Sequence, residues 1–244
     1  MRQYKSSVFF LAIGTILLIL CSCNKNLDNY KSPNATIYGA ILDSKTNDTL
    51  FFANDLGQCG YLFLYQTNYG SSSISTSITS DYGYNGVYQN AGLFDGTYQI
   101  VPTGAFYYTD TITQSINGKT KIDLKVSQWI YVTLQIGIVT NNSITVTYTA
   151  VSNDSANQVM ARVAAMLFNT PYPDINHYIS SGGISGRILH SVGSSQNIYT
   201  FTDTFTGLAS GTTYYIRAGS RTATSTINPN SYYNYSSVVA VTTQ

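Results

Sequence analysis

The chain has 244 residues, of which only 9% are charged, and its formal net charge is +1. This balance, with no basic cluster, argues against a nucleic-acid partner. All 11 acidic residues are aspartate, tyrosine occurs 22 times, and helix formers such as glutamate and methionine are absent or scarce. Tyrosine and threonine favour strands, and glycine, asparagine and serine favour turns, so the composition predicts an all-β protein.

The N-terminal segment has the pattern of a secretory signal. Arg2 and Lys5 form a short positive head, and residues 8–20 carry no charge. This apolar run of roughly 13 residues is shorter than the run of about 20 that a membrane-spanning helix needs. The sequence therefore predicts export rather than a transmembrane anchor.

Leu20, Cys21, Ser22 and Cys23 end this segment and resemble a bacterial lipobox, in which an apolar residue and two small residues precede a cysteine. Cys23 is the better acceptor, because lipidation of Cys21 would place Leu20 at the cleavage point, where a small residue is required. The resemblance implies a lipoprotein whose Cys23 carries the acyl chains that anchor it to a membrane. It divides this part of the chain into a signal peptide at residues 1–22 and a lipidated tether at residues 23–33.

Residues 34–127 alternate strand patterns with polar turns. Asp95-Gly96 and Asn117-Gly118 each separate two apolar runs, and such dipeptides are strong signals for two-residue β-hairpin turns. The sequence thus predicts two hairpins in this block. The predicted strands are residues 34–42, 60–65, 87–94, 97–101, 111–116 and 120–126.

This block is similar to the carboxypeptidase-regulatory, or transthyretin-like, β-sandwich module. The similarity lies in an opening strand with Gly39 and Asp43, and in the Asp-Gly turn within residues 93–98. The turn is expected to return the chain so that Tyr98 and Ile100 point into the core. The resemblance implies a first β-sandwich domain.

Residues 128–244 carry a second set of strand patterns, of which residues 143–151 alternate most strictly. The stretch from Leu208 to Tyr214 is similar to the turn into a late strand of fibronectin type III domains. That similarity implies a buried Leu208, a tyrosine corner at Tyr214 and a fibronectin-III-like, immunoglobulin-like sandwich. The predicted inward face of residues 143–151 comprises Ile144, Val146 and Tyr148.

The order of these parts resembles a family of Bacteroidetes lipoproteins found beside Sus-like outer-membrane glycan uptake proteins. The tether and residues 171–174 carry this resemblance most specifically. It implies two tandem β-sandwiches, outer-membrane anchoring, and glycan binding at the cell surface in support of polysaccharide uptake, with the transporter proteins as candidate partners. Surface display is usually helped by acidic residues after the lipidated cysteine. Here there is only Asp28, with Lys25 before it, so the periplasmic face stays an alternative.

The sequence does not favour an enzyme. A glycosidase normally needs two carboxylates in a cleft, whereas these aspartates fall mostly in turn contexts, such as Asp43, Asp95 and Asp203. No complete nucleophile elbow occurs, and Asp174 with Asn176 would give Ca²⁺ too few oxygen ligands. We therefore predict no catalytic residue, no metal site and no cofactor.

A carbohydrate-binding module fits the composition better, because sugar rings stack on aromatic faces and their hydroxyls pair with amides and carboxylates. Loops at residues 170–178 and 228–235 combine such side chains in the second domain. The loop at residues 68–88, with Tyr69, Tyr82, Tyr84 and Tyr88, is an alternative. Trp129 is more typical of interdomain packing than of a sugar platform. The predicted glycan-binding residues are Tyr172, Asp174, Asn176, His177, Tyr178, Tyr232, Tyr233 and Tyr235.

A non-enzymatic structural or adhesive surface protein that binds a protein partner is the alternative function. In that case the two sandwiches act as spacers. An open face lined by tyrosines in the second domain would favour glycan binding, whereas buried or scattered rings would favour the spacer.

Overall fold

The computed structural model describes residues 31–54, 60–67, 76–108, 110–153, 159–193, 196–223 and 232–244. Within these ranges the chain forms strands and no α-helix, which confirms the predicted all-β class. The same residues contain no helix of the length and hydropathy that a membrane span requires. The signal peptide, Cys23 and most of the tether lie outside the described residues, so the lipoprotein assignment stays a prediction.

The first half of the fold is a sandwich of two sheets. Its strands are β1 (Ala35–Asp43), β2 (Tyr61–Gln66), β3 (Ile78–Asp81), β4 (Val87–Leu93), β5 (Gly96–Pro102), β6 (Phe106–Tyr107), β7 (Ile112–Ile116), β8 (Lys119–Lys121) and β9 (Leu124–Gln128). One sheet has the order β4-β1-β9-β6, with β8 also pairing with β1, and the other has the order β3-β2-β5-β7. Their inward side chains share one core, in which Tyr98 and Ile100 are fully buried as predicted.

The turns at Asp95-Gly96 and Asn117-Gly118 join strands of different sheets, so both predicted hairpins are wrong. β4 pairs with β1 while β5 pairs with β2 and β7, and β8 leaves β7 to run parallel to β1. A type I′ hairpin turn needs a positive φ at both central residues, but of these four only Gly118 has one, at 58°. The two turns instead meet, because the Gly118 N–H donates to Asp95 Oδ1 at 3.2 Å.

The second half of the fold is another sandwich. Its strands are β10 (Ile130–Val139), β11 (Ser143–Ser152), β12 (Met160–Phe168), β13 (Arg187–Ser191), β14 (Ile198–Thr206), β15 (Thr213–Thr222), β16 (Asn234–Tyr235) and β17 (Val239–Thr242). The sheet β10-β11-β14 packs on the sheet β13-β12-β15-β16, in which β17 also pairs with β15. The predicted inward residues of β11, Ile144, Val146 and Tyr148, are buried in the core between them.

The connection from β14 to β15 has the predicted form. Leu208 and Tyr214 are both buried, and the Ala209 N–H donates to the Tyr214 hydroxyl at 3.0 Å. This contact between a strand tyrosine and the backbone a few residues upstream is a tyrosine corner, which secures the turn between the two sheets.

Residues 34–244 form one compact unit, although each sandwich has its own core. A third, smaller cluster joins the sandwiches, and we call it the junction cluster. Trp129, between β9 and β10, also packs between the two halves. Its backbone N–H donates to the Ala105 carbonyl and its ring lies edge-on to Tyr107, both in the first sandwich, and it also packs against the core of the second. The buried members of the junction cluster are Ala53, Ala164, Met166, Ile175, Tyr233 and Tyr235.

Candidate functional site

Asp174 is fully buried where the two sandwiches meet. Its Oδ2 accepts a 2.7 Å hydrogen bond from the Asn54 N–H of the first sandwich, and its Oδ1 accepts 2.8 Å bonds from the N–H groups of Asn176 and His177. Burial alone would raise the pKa of Asp174, but these bonds and the His177 ring, 2.9 Å from Oδ2, hold the pKa below its ordinary value. A carboxylate so enclosed cannot meet a surface ligand, which corrects this part of the predicted site.

Arg217 is the positive counterpart of Asp174 at the junction. Its Nη1 donates to the Phe52 carbonyl of the first sandwich at 2.8 Å, and its Nε donates to the Ser236 carbonyl at 3.0 Å. The guanidinium lies 4.1 Å from the centroid of the Tyr235 ring, a cation–π contact. Burial lowers the pKa of Arg217 to about 10, which leaves the side chain charged at neutral pH.

The predicted tyrosine platform at residues 228–235 is wrong, because its rings are buried. Tyr232, Tyr233 and Tyr235 have 8%, 4% and 5% of their surface exposed. β16 pairs with β15 and carries Tyr235 onto the sheet face that packs against the first sandwich. Between the tyrosines, Asn234 accepts a bond from the Ile130 N–H at 3.1 Å and donates to a carbonyl of the first sandwich at 2.9 Å.

Tyr172 keeps an accessible ring, with 38% of its surface exposed. Tyr84 of the first sandwich packs against it edge to face, with 4.7 Å between ring centroids and 77° between planes. The Tyr84 carbonyl accepts a 2.9 Å bond from the Phe52 N–H, which ties this tyrosine to the segment that Asp174 and Arg217 hold. The structure thus brings together one tyrosine from each of two loops that the sequence offered as alternatives.

The remaining predicted residues belong to the same loop as Tyr172. Asn176 is exposed, and His177 is half-buried with its ring 6.3 Å from that of Phe168. Tyr178 is half-buried beneath the Arg187 guanidinium, which lies 4.3 Å from the ring centroid. We call the surface formed by Tyr84, Tyr172 and the exposed residues Asn54 and Asn176 the junction surface.

The sequence analysis missed the residues that build the junction. Arg217 gave no warning in the sequence, because Tyr214, Ile216 and Ala218 of β15 face the core and Arg217 falls on the opposite face, which alternation predicts to be exposed. The first sandwich contacts Arg217 on that face through the Phe52 carbonyl, and the side chain is buried. Nothing in the sequence marked the backbone groups of Phe52 and Asn54 as the hydrogen-bond partners of Arg217 and Asp174, since backbone groups carry no residue-specific signal. Within the described residues, no three His, Cys, Asp or Glu side chains group closely enough to hold a metal ion.

Residues 35–127, which make up almost all of the first sandwich, match the family described as "Protein of unknown function (DUF3823) N-terminal domain". Among curated proteins, none matches the chain. The family match therefore applies to the first half of the fold.

Solved structures resemble both sandwiches together. A DUF3823 family protein from Bacteroides uniformis aligns with a TM-score of 0.70 at 16% identity, over 87% of this chain and 100% of that one. A DUF3823 family protein from Parabacteroides merdae aligns with a TM-score of 0.66 at 19% identity, over 86% and 100%. Another Bacteroides uniformis protein, described as "a putative carbohydrate binding protein", aligns with a TM-score of 0.66 at 21% identity, over 86% and 99%. Residues 35–127 thus match the model of the DUF3823 N-terminal domain, and the chain shares its two-sandwich fold with these proteins.

Proposed function

We propose that the protein is a carbohydrate-binding protein and that the junction surface is a glycan-binding site. The observation that carries the proposal is the exposed ring of Tyr172, which Tyr84 holds edge to face from the other sandwich. A pyranose presents a C–H face that packs on such a ring, and a ring fixed in place loses little conformational entropy on binding.

The surroundings of Tyr172 suit a neutral sugar. Asn54 and Asn176 are exposed, and their amide groups donate and accept hydrogen bonds as sugar hydroxyls do. The solved structure described as that of a putative carbohydrate binding protein has the same fold and gives independent support. The burial of the tyrosines at residues 232–235 counts against an extended platform and, by itself, favours the structural alternative. The glycan-binding proposal therefore depends on the exposed Tyr172, in a smaller site than the sequence predicted.

We also propose that Cys23 is lipidated and anchors the protein in the outer membrane, facing the cell surface, where it would support a Sus-like polysaccharide transporter. The motif at residues 20–23 supports this part of the proposal. Radiolabelled palmitate should enter the wild-type protein in its native host and not the Cys23→Ser variant. Equal labelling of both would contradict lipidation at Cys23. Protease treatment of intact cells should degrade a surface-facing protein and spare a periplasmic one.

Affinity gel electrophoresis of the intact purified protein tests glycan binding. The probes are soluble starch, arabinoxylan, galactomannan and pectin cast into the gel. At least one should retard the wild-type protein and the Tyr172→Phe variant, which keeps the ring, while Tyr172→Ala should migrate faster. Tyr65→Ala is the matched control, because Tyr65 is a half-buried strand tyrosine away from the junction.

The outcomes separate the site from the function. If the Tyr172→Ala variant is retarded as much as the wild type, the protein binds glycan, but at a site other than the junction surface. If none of the probes retards the wild-type protein, the junction surface is not a glycan-binding site. Specific capture of a neighbouring outer-membrane protein would then favour the alternative function, a structural or adhesive protein with a protein partner.

A further inference from the structure

The outer face of the first sandwich carries a groove of about 530 Å³, distant in sequence from the predicted glycan-binding residues of the second sandwich. This volume lies within the roughly 300–1,000 Å³ that small-molecule sites occupy. The groove runs over β1 and its two neighbours, β4 and β8. Its lining residues are Tyr38, Gly39, Ala40, Leu42, Val87, Tyr88, Gln89, Lys121 and Asp123.

The groove exists because the ladder beside β1 is interrupted. β8 pairs with β1 up to Tyr38, and β9 resumes pairing only at Ile41, so Gly39 and Ala40 face a break between the two strands. There the Ala40 N–H donates to the Asp123 carboxylate, 3.1 Å from Oδ1, instead of to a strand carbonyl. Two small residues thus form a low floor between larger side chains, and a glycine within a strand often marks such an irregularity.

The walls of the groove combine an aromatic ring with hydrogen-bonding groups. Tyr38 is 38% exposed and lies between its cross-strand partners Gln89 and Lys121. Lys121 Nζ forms a 2.8 Å ion pair with Asp123 Oδ2, so the charges on this wall cancel. Asp123 is also held by the backbone of Ala40, which fixes the acceptor in position.

We propose that this groove is a second carbohydrate site, which takes one or two neutral hexose units of the glycan. The inference rests on the proposed function, since it assigns a further site for the same class of ligand. The C–H face of a pyranose would lie on Tyr38 and the apolar floor, and neighbouring hydroxyls would bridge Lys121, Asp123 and Gln89. The cancelled charge disfavours an anionic or cationic ligand.

Two sites on one chain would let the protein hold a polysaccharide at two points. Linked sites raise the apparent affinity well above that of either site alone, provided that one polymer can reach both. A short oligosaccharide would occupy the two sites independently, so the groove can be tested apart from the junction surface.

The experiment uses the intact protein in two measurements. The gel that retards the wild type is repeated with Tyr38→Ala, with Tyr38→Phe, and with Ala40→Leu, which fills the floor but keeps the ring. NMR titrations with maltose, cellobiose, xylobiose and mannobiose at millimolar concentration follow the backbone amides of Gln89 and Lys121. Tyr65→Ala is again the control, and thermal unfolding establishes that each variant is folded.

We expect Tyr38→Ala and Ala40→Leu each to weaken polysaccharide binding by about tenfold or more, and Tyr38→Phe to bind as the wild type does. One of the disaccharides should shift the groove amides, in Tyr172→Ala as well. Unchanged retardation of both folded groove variants, or no amide shift with any disaccharide, would overturn the second site and leave the proposed function intact. A wild-type protein that binds none of the polysaccharides but shifts its groove amides would overturn the junction site alone.

Discussion

Asn54 and Asp174 join the two sandwiches by one short hydrogen bond, 2.7 Å from the backbone N–H to Oδ2. Two residues earlier in the same segment, the Phe52 carbonyl accepts a 2.8 Å bond from Arg217. The second sandwich therefore holds residues 52–54 at two points. The buried Asp174 carboxylate accepts from the Asn54 N–H, and the buried Arg217 guanidinium donates to the Phe52 carbonyl. Since the Phe52 N–H also binds the Tyr84 carbonyl, these contacts position the aromatic wall of the proposed glycan site.

Replacing Asp174 by asparagine should lower the free energy of unfolding by about 1.5–3 kcal/mol, the range for hydrogen bonds to a charged group. The asparagine has one acceptor oxygen, so it cannot accept bonds from the N–H groups of Asn54, Asn176 and His177 together. Chemical denaturation measures the loss, and hydrogen exchange should show faster exchange at the Asn54 amide.

Asp48→Asn is the matched control for this variant. Asp48 is exposed in the turn after β1, and such surface substitutions change stability by no more than about 0.5 kcal/mol. A similar loss of stability in both variants would contradict the special role of Asp174 at the junction.

The low pKa of Asp174 predicts a specific acid sensitivity. Its folded-state pKa lies below the ordinary value of 3.8, so its contribution to stability is fully present above that value. The contribution is lost as the pH falls through the lowered folded-state pKa, because protonation then removes the charge that accepts the bonds. Unfolding measured between neutral pH and about pH 2 should depend less on pH in Asp174→Asn than in the wild type. Parallel curves for the two proteins would refute this linkage.

Arg217→Met should also destabilise the junction, by about 2 kcal/mol, although methionine fills a similar volume. The carbonyls of Phe52 and Ser236 would each lose a buried donor, at about 1–3 kcal/mol per unsatisfied group. Relief from burying the guanidinium offsets part of that cost. Equilibrium denaturation gives the difference, with Lys125→Met as the exposed control. A variant as stable as the wild type would mean that burial of the charge costs as much as its hydrogen bonds contribute.

Much of the fold was predictable because the alternation of apolar and polar side chains along a strand indicates which face of the strand is buried. The inward face of β11 and the tyrosine corner at Tyr214 follow from apolar periodicity and a local turn pattern. The hairpins at Asp95-Gly96 and Asn117-Gly118 were predicted wrongly, because a dipeptide signal does not specify which sheet the next strand joins. That choice depends on backbone dihedrals and on contacts remote in sequence, such as the bond from Gly118 to Asp95.

The candidate site was less predictable, because the same residue types serve surfaces and interfaces. Tyrosines 232, 233 and 235 resemble a sugar platform in sequence, yet all three are buried, and Tyr233 and Tyr235 pack where the sandwiches meet. Tyr172 lies in a similar loop and stays accessible. Only the docking of one sandwich on the other separates these cases, and no local pattern in the chain encodes that docking.

Alkaline pH should unfold the protein cooperatively above about pH 10. Burial raises the pKa of seven tyrosines, and a raised folded-state pKa gives stability that is present below the unfolded value and lost as the pH rises toward the folded one. Arg217, whose pKa burial lowers to about 10, acts in the opposite sense, but it is one group against seven. The seven are Tyr88, Tyr98, Tyr108, Tyr131 (pKa about 12), Tyr148, Tyr233 and Tyr235.

Tyrosinate absorbance and circular dichroism, recorded in one alkaline titration, test this expectation. The buried tyrosines should ionise together with the loss of β-sheet signal, after the exposed tyrosines have titrated. Full ionisation of all tyrosines while the β-sheet signal is retained would show that the seven hydroxyls reach solvent without unfolding.

Gly39→Ala should destabilise the first sandwich by about 3 kcal/mol or more, at the upper end of overpacking penalties. A Cβ at this position would lie 1.8 Å from the Ile122 carbonyl oxygen, which belongs to the backbone and also accepts a 2.5 Å bond from the Tyr88 hydroxyl. The backbone would have to move apart at the break in the ladder that forms the groove. Gly92→Ala is the matched control, because its Cβ would meet nothing closer than 4.0 Å. Thermal unfolding of the two variants should therefore show a large decrease in Tm for Gly39→Ala and little change for Gly92→Ala. A small effect in both would mean that β1 and the backbone at Ile122, between β8 and β9, can separate at little cost.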